Sequence, residues 1–147
     1  MKKLFKSLIV VGLFVAIALP VFAGSPVGGK TKSFIAAADY GDSKFLFVEL
    51  TGGRNQCNLC DATTDTPVGV MQNNPESATA MVVQFDGTTK IVASAAIAKG
   101  AFVSTQIGGT AVTSTGMTAI RGWALEAATA YGDIIEIMLI GPSVKVQ

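Results

Sequence analysis

A chain of 147 residues, half of them hydrophobic and only 14% charged, is long enough for one buried core and too short for two large domains. The formal net charge of +1 hides an asymmetry: Lys2, Lys3 and Lys6 lie at the start, and from residue 24 onward eight basic face ten acidic side chains, so no basic face for nucleic acid is expected. Histidine is absent, which excludes Ser-His-Asp and Cys-His catalysis, imidazole metal sites and imidazole proton shuttling. The composition points to a binding or structural role, not an enzyme, and calls for no cofactor or metal.

Met1 to Ala23 opens with lysines, continues as an apolar run from Leu8 to Leu19, and ends in Pro20-Val21-Phe22-Ala23. That is the anatomy of a secretory signal peptide, with cleavage expected between Ala23 and Gly24. The apolar run is short for a membrane span, which needs about 17–25 residues. A retained segment would be a separate hydrophobic helix, serving as a membrane anchor through Phe22 or as an arm for a partner subunit. Residues 24–32, GSPVGGKTK, read as a flexible linker. From residue 33 to 147, sixteen glycines across the chain and abundant Ala, Thr, Val and Ile favour short strands joined by tight turns, a small all-β barrel or sandwich of antiparallel strands.

In chain order, Phe34 to Ala38 is compatible with a strand or a helical turn, and Lys44 to Leu50 reads as a strand entered through the turn Asp39-Tyr40-Gly41-Asp42-Ser43. Cys57-Asn58-Leu59-Cys60 follows, and a CxxC spacing has several readings: unreactive thiols or a local disulfide in a loop, bonds between subunits, half of a shared metal site, or a redox pair. With two cysteines and no histidine, one chain cannot supply the four ligands of a zinc site. Asp61 and Asp65, amid threonines, read as turn residues that at most ligate calcium weakly.

Val68 to Met71 and Ala80 to Phe85 are the next strands. Asp86-Gly87 is a hairpin signal returning through Thr88 to Ser94. Lys99-Gly100 turns into a strand over Ala101 to Thr105; this pair lacks the upstream glycine and the hydroxyl of a phosphate loop. A loop around Gly108-Gly109 and a short strand Ala111 to Thr113 precede the closing hairpin. Its first arm, Ile120 to Glu126, carries the single tryptophan, Trp123, behind Gly122. Its second, Asp133 to Ile140, is apolar at nearly every position and reads as a strand covered on both faces. Trp123, Ile134, Ile135 and Ile137 are therefore expected in the core or an assembly contact. Gly69-Val70 followed by Val82-Val83 echoes Gly122-Trp123 followed by Ile135-Glu136, as two hairpin-like units of a small barrel would. Glu126, Asp133 and Glu136 are the carboxylates near one another; pairing of Glu136 with Arg121 or Lys145 outweighs any acid–base role.

From Asp65 onward the chain resembles the capsid decoration, or cement, proteins of tailed phages. The matching elements are Asp65-Thr66-Pro67-Val68-Gly69-Val70, a strand ending at Phe85-Asp86-Gly87, Ala96-Ile97-Ala98-Lys99-Gly100-Ala101-Phe102-Val103, and Gly122-Trp123-Ala124-Leu125-Glu126 through Tyr131-Gly132-Asp133 to Ile137. The resemblance implies a small β-rich, non-enzymatic protein that binds the major capsid protein shell, stabilises it and sits on the virion surface, often as a trimer. Such proteins need no leader, which keeps an exported, self-associating surface or appendage subunit as the alternative. The apolar excess and sparsely protected strand edges independently point to coverage by neighbouring subunits, hence a homo-oligomer, with membrane contact only through the N-terminal segment.

Overall fold

In the computed structural model, residues 28–115 and 120–141 are described. The leader, its Ala23–Gly24 junction and Lys145 lie outside them. Ten short strands account for the fold: β1 (Thr31–Ala36), β2 (Phe47–Leu50), β3 (Gln56–Leu59), β4 (Gly69–Met71), β5 (Ala80–Gln84), β6 (Thr88–Val92), β7 (Phe102–Thr105), β8 (Ala111–Thr113), β9 (Gly122–Ala124) and β10 (Ile134–Leu139). A single 3-10 turn over Ile107–Gly109 is the one helical element among the described residues. The all-β expectation holds.

The first five strands form a closed barrel in the order β1-β3-β2-β4-β5. It is closed by β1 and β5, antiparallel from Thr31↔Gln84 to Ile35↔Ala80, while β1 and β3 run parallel. The other five form a sheet in the order β6-β10-β9-β7-β8. Its two ends are drawn together by a parallel bridge, Ala93↔Ala111, where Ser94 donates its N–H (2.7 Å) and its hydroxyl (2.9 Å) to the Ala111 carbonyl. The first barrel thus has no free strand edge, while the end strands of the second sheet touch only at this bridge.

Period-two alternation in β2 and β4 decides where the core sits. Phe47 and Val70 point one way and join Ile91, Val103, Ile135 and Ile137 in a cluster that fills the second sheet. Val48 and Met71 point the other way and meet Ala36, Cys57, Met81 and Val83 inside the first barrel. One pair of strands is therefore a wall shared by two cores. Phe45 fastens it: its N–H donates to the Met71 carbonyl (2.8 Å) and its carbonyl accepts from Val92 N–H (2.9 Å). Making both bonds requires a left-handed backbone, φ 63°, and this is why the strand expected from Lys44 begins only at Phe47.

The expected hairpin at Asp86-Gly87 is corrected. The turn is present, with Gly87 at φ 79°, but β5 already pairs with β1 and β4, and β6 pairs with β10, so the turn carries the chain from barrel to sheet. Buried Gln84 braces this crossing by donating from Nε2 to the carbonyls of Asp86 (3.0 Å) and Thr88 (2.7 Å), and Leu139 N–H binds the Gly87 carbonyl (2.8 Å). β1 begins at Thr31, inside the expected linker, because Thr31 and Lys32 pair with Gln84 and Val83. The glycine echo has a physical basis: a Cβ on Gly69 would meet the Gln84 carbonyl oxygen of β5, and one on Gly122 the Met138 carbonyl oxygen of β10.

Phe47→Ala removes the largest side chain of the shared wall and is expected to cost about 3–5 kcal/mol. Chemical denaturation should show one transition at lower midpoint, reported alike by circular dichroism and by tryptophan fluorescence.

Candidate interaction surface

β10 alternates between the two sides of the second sheet, so Ile135 and Ile137 are core residues as expected, whereas Ile134 (51% exposed) and Met138 (40%) face outward. The expectation of a strand covered on both faces is corrected: in the single chain one face is open. Trp123, expected in the core or an assembly contact, lies between buried Gly122 and Ala124 on a strand of period two and is 43% exposed, so it is not a core residue of the single chain.

Register turns these side chains into a row. Trp123 stands opposite Phe102 on one side and Met138 on the other. Phe102 is 43% exposed and its ring centroid lies 5.6 Å from that of Trp123, tilted by 37°. Aromatic rings at this separation attract one another beyond their contact area. On the same face Glu136 is opposite Lys90, and Ile134 is opposite Val92. Ile134 also borders an open groove of about 420 Å³ together with Lys44, Leu46, Leu59, Ile107 and Tyr131.

Cys57 and Cys60 are free and buried. The CxxC expected in a loop lies partly in β3, where residues three apart point to opposite sides, so Cys57 enters the core of the first barrel and Cys60 that of the second sheet. Burial pushes the thiol pKa of Cys57 from 9.0 up to about 11 and that of Cys60 up to about 12. Neutral, enclosed thiols of this kind are neither paired with each other nor presented to another subunit, metal or substrate.

The carboxylates of the closing hairpin do not converge on a reacting position. Asp133 Oδ2 accepts from Thr129 N–H (2.7 Å), Thr129 hydroxyl (2.8 Å) and Ala130 N–H (3.1 Å), and these bonds hold its pKa below the usual carboxylate value. Glu126 accepts from Glu136 N–H at 3.0 Å. Glu136 does not reach Arg121, which is buried. Asp65 repeats the Asp133 device, accepting from the amides of Asp61 (2.7 Å) and Ala62 (2.8 Å), so its role as a turn residue holds. Sequence reading missed that Glu49 of β2 joins Asp61 and Asp65, with oxygens within 4.8 Å of one another. Burial first, then repulsion by Asp65 and Asp61, raises the Glu49 pKa. Only the pairing of β2 with β3, Val48↔Leu59, brings them together, and no spacing in the chain signals it.

No family model matches the chain, and no curated protein does. A solved structure does: the head fiber gp8.5 N base in bacteriophage phi29, superposing with a TM-score of 0.60 at 17% identity over 78% of this chain and 97% of that one. The likeness is one of fold.

Both cysteines should be inert to a thiol reagent in the native protein at pH 8 and react on unfolding. Because the folded thiols ionise later than the unfolded ones, stability is full below pH 9 and falls as pH rises from there toward 11–12 in denaturant titrations at stepped pH. For Asp133 the sign is opposite. Its lowered pKa gives stability that is present above the ordinary carboxylate value of 3.8 and lost as pH falls through the folded value, so the protection of the Thr129 and Ala130 amides, taken relative to their intrinsic exchange rate at each pH, should fall in acid, and Asp133→Asn should remove that fall.

Proposed function

We propose that this protein is a non-enzymatic virion component that attaches to the outer face of an assembled phage capsid through the open face of its second sheet, decorating and stabilising the shell. The observation that carries the proposal is the fold shared with a phage head fiber base. A row of Phe102, Trp123 and Met138 on the open face of the sheet supports face-on docking, since aromatic and methionine side chains are favoured at the centres of protein interfaces. The partner is the major capsid protein shell, and self-association, with a trimer as the leading arrangement, adds copies around a symmetry axis. The signal-peptide pattern of residues 1–23 favours a second reading, an exported, self-associating surface or appendage subunit using the same face.

Co-sedimentation with assembled shells and with free coat subunits tests the first reading. Binding to shells alone is expected, and a double Phe102→Ser, Trp123→Ser variant should bind at least tenfold more weakly while keeping its melting temperature within a few degrees, since both side chains already face solvent. Equal binding to shells and free subunits rejects it. Mass spectrometry of the natural N-terminus separates the readings: Gly24 first favours export, and an intact Met1 in particles favours the virion.

A further inference from the structure

Arg121 is the one charged residue that the fold buries among the described residues, at 5% exposed. Its backbone is locked from both sides, donating to the Val103 carbonyl (2.8 Å) and accepting from Ile140 N–H (2.9 Å). Yet its Nε–H is buried without a hydrogen-bond partner among the described residues, and the ion pair found among them, Lys30 with Asp86 at 4.0 Å, lies elsewhere at the surface. The ionisable group that acts on Arg121 is the Cys60 thiol, which burial keeps neutral. A cation taken out of water and left without a counter-charge is unfavourable, and arginine cannot escape by losing its proton.

The residue lines a small crevice at the seam between barrel and sheet, walled by Phe47, Pro67, Phe85, Leu139 and Ile140, with Arg121 as its only charged member. The space inside, about 10 Å³, suits roughly one oxygen atom. The walls around it are apolar, so a multiply charged phosphate or sulfate would lose more hydration on approach than a singly charged carboxylate, which can place one oxygen on Nε–H and keep the rest of the group at the mouth.

We propose that this crevice is a carboxylate-binding site in which Arg121 receives a single carboxylate, its leading oxygen accepting from Nε–H. Free carboxylates and the acidic side chain of a docked protein share this chemistry, and two arms of one experiment separate them.

The Nε–H resonance of Arg121 is followed by nitrogen-15 NMR on the full chain during titration with sodium formate, with sodium chloride and sodium phosphate at matched ionic strength, and then with the peptide acetyl-Gly-Asp-Gly-amide. A saturable shift with formate and none with chloride or phosphate is expected, together with a rise in melting temperature that Arg121→Met abolishes. If that variant does not fold, Arg121→Lys, which keeps the charge but loses the planar fork, should weaken the formate response tenfold or more. A peptide that saturates at lower concentration than formate identifies a protein-borne acid as the occupant; saturation by formate alone identifies a free carboxylate. A resonance that answers formate and chloride alike, or a formate response retained in the variants, overturns the proposal.

Discussion

Everything in this molecule depends on two very short strands being wet on neither side. β2 and β4 contribute Phe47 and Val70 to one cluster and Val48 and Met71 to the other, so each sheet supplies the lid of its neighbour. A small β-barrel has little apolar area to bury, and a sheet with one open face has less. Sharing a wall lets both reach closure with few large residues. The strain at Phe45 is tolerable on the same ground, because its left-handed backbone is held by bonds to both sides of the joint.

The closed barrel changes what an apolar surface means here. An unpaired strand recruits any other strand, without selectivity, through its backbone. With β1 bonded to β5 the barrel has no free edge, and on the second sheet the open face presents side chains. Phe102, Trp123 and Met138 form a patch whose shape is set by strand register, with Lys90 and Glu136 beside it.

Much of the local structure was legible in the chain. The strands over Ala80–Gln84, Phe102–Thr105, Ala111–Thr113 and Ile134–Leu139 follow from β-branched runs bounded by glycine and aspartate turns, and the all-β class follows with them. What could not be read was partnership. Asp86-Gly87 signals a turn whether the chain folds back on itself or crosses to another sheet, and only the prior claims of β1 and β4 on β5 decide between these. Trp123 was left between core and assembly contact because bulk argued for burial, while the alternation of Gly122, Trp123 and Ala124 argued for exposure; in the single chain period outweighs size. Cys57 and Cys60 invited chemistry by spacing, but a three-residue step along an extended chain sends two thiols to different interiors. The buried cation of Arg121 and the meeting of Glu49 with Asp61 and Asp65 arise from tertiary pairing alone and leave no local trace.

The order in which the chain is made gives the shared wall a further consequence. β1 finds its closing partner only when β5 has emerged, and Phe47 and Val70 stay uncovered until Ile135 and Ile137, near the other end, arrive. The barrel's inner core is complete once β5 has emerged, but the second core waits for β10, so a nascent chain stalled before β10 would expose to cellular quality control the very side chains that later knit the two halves together.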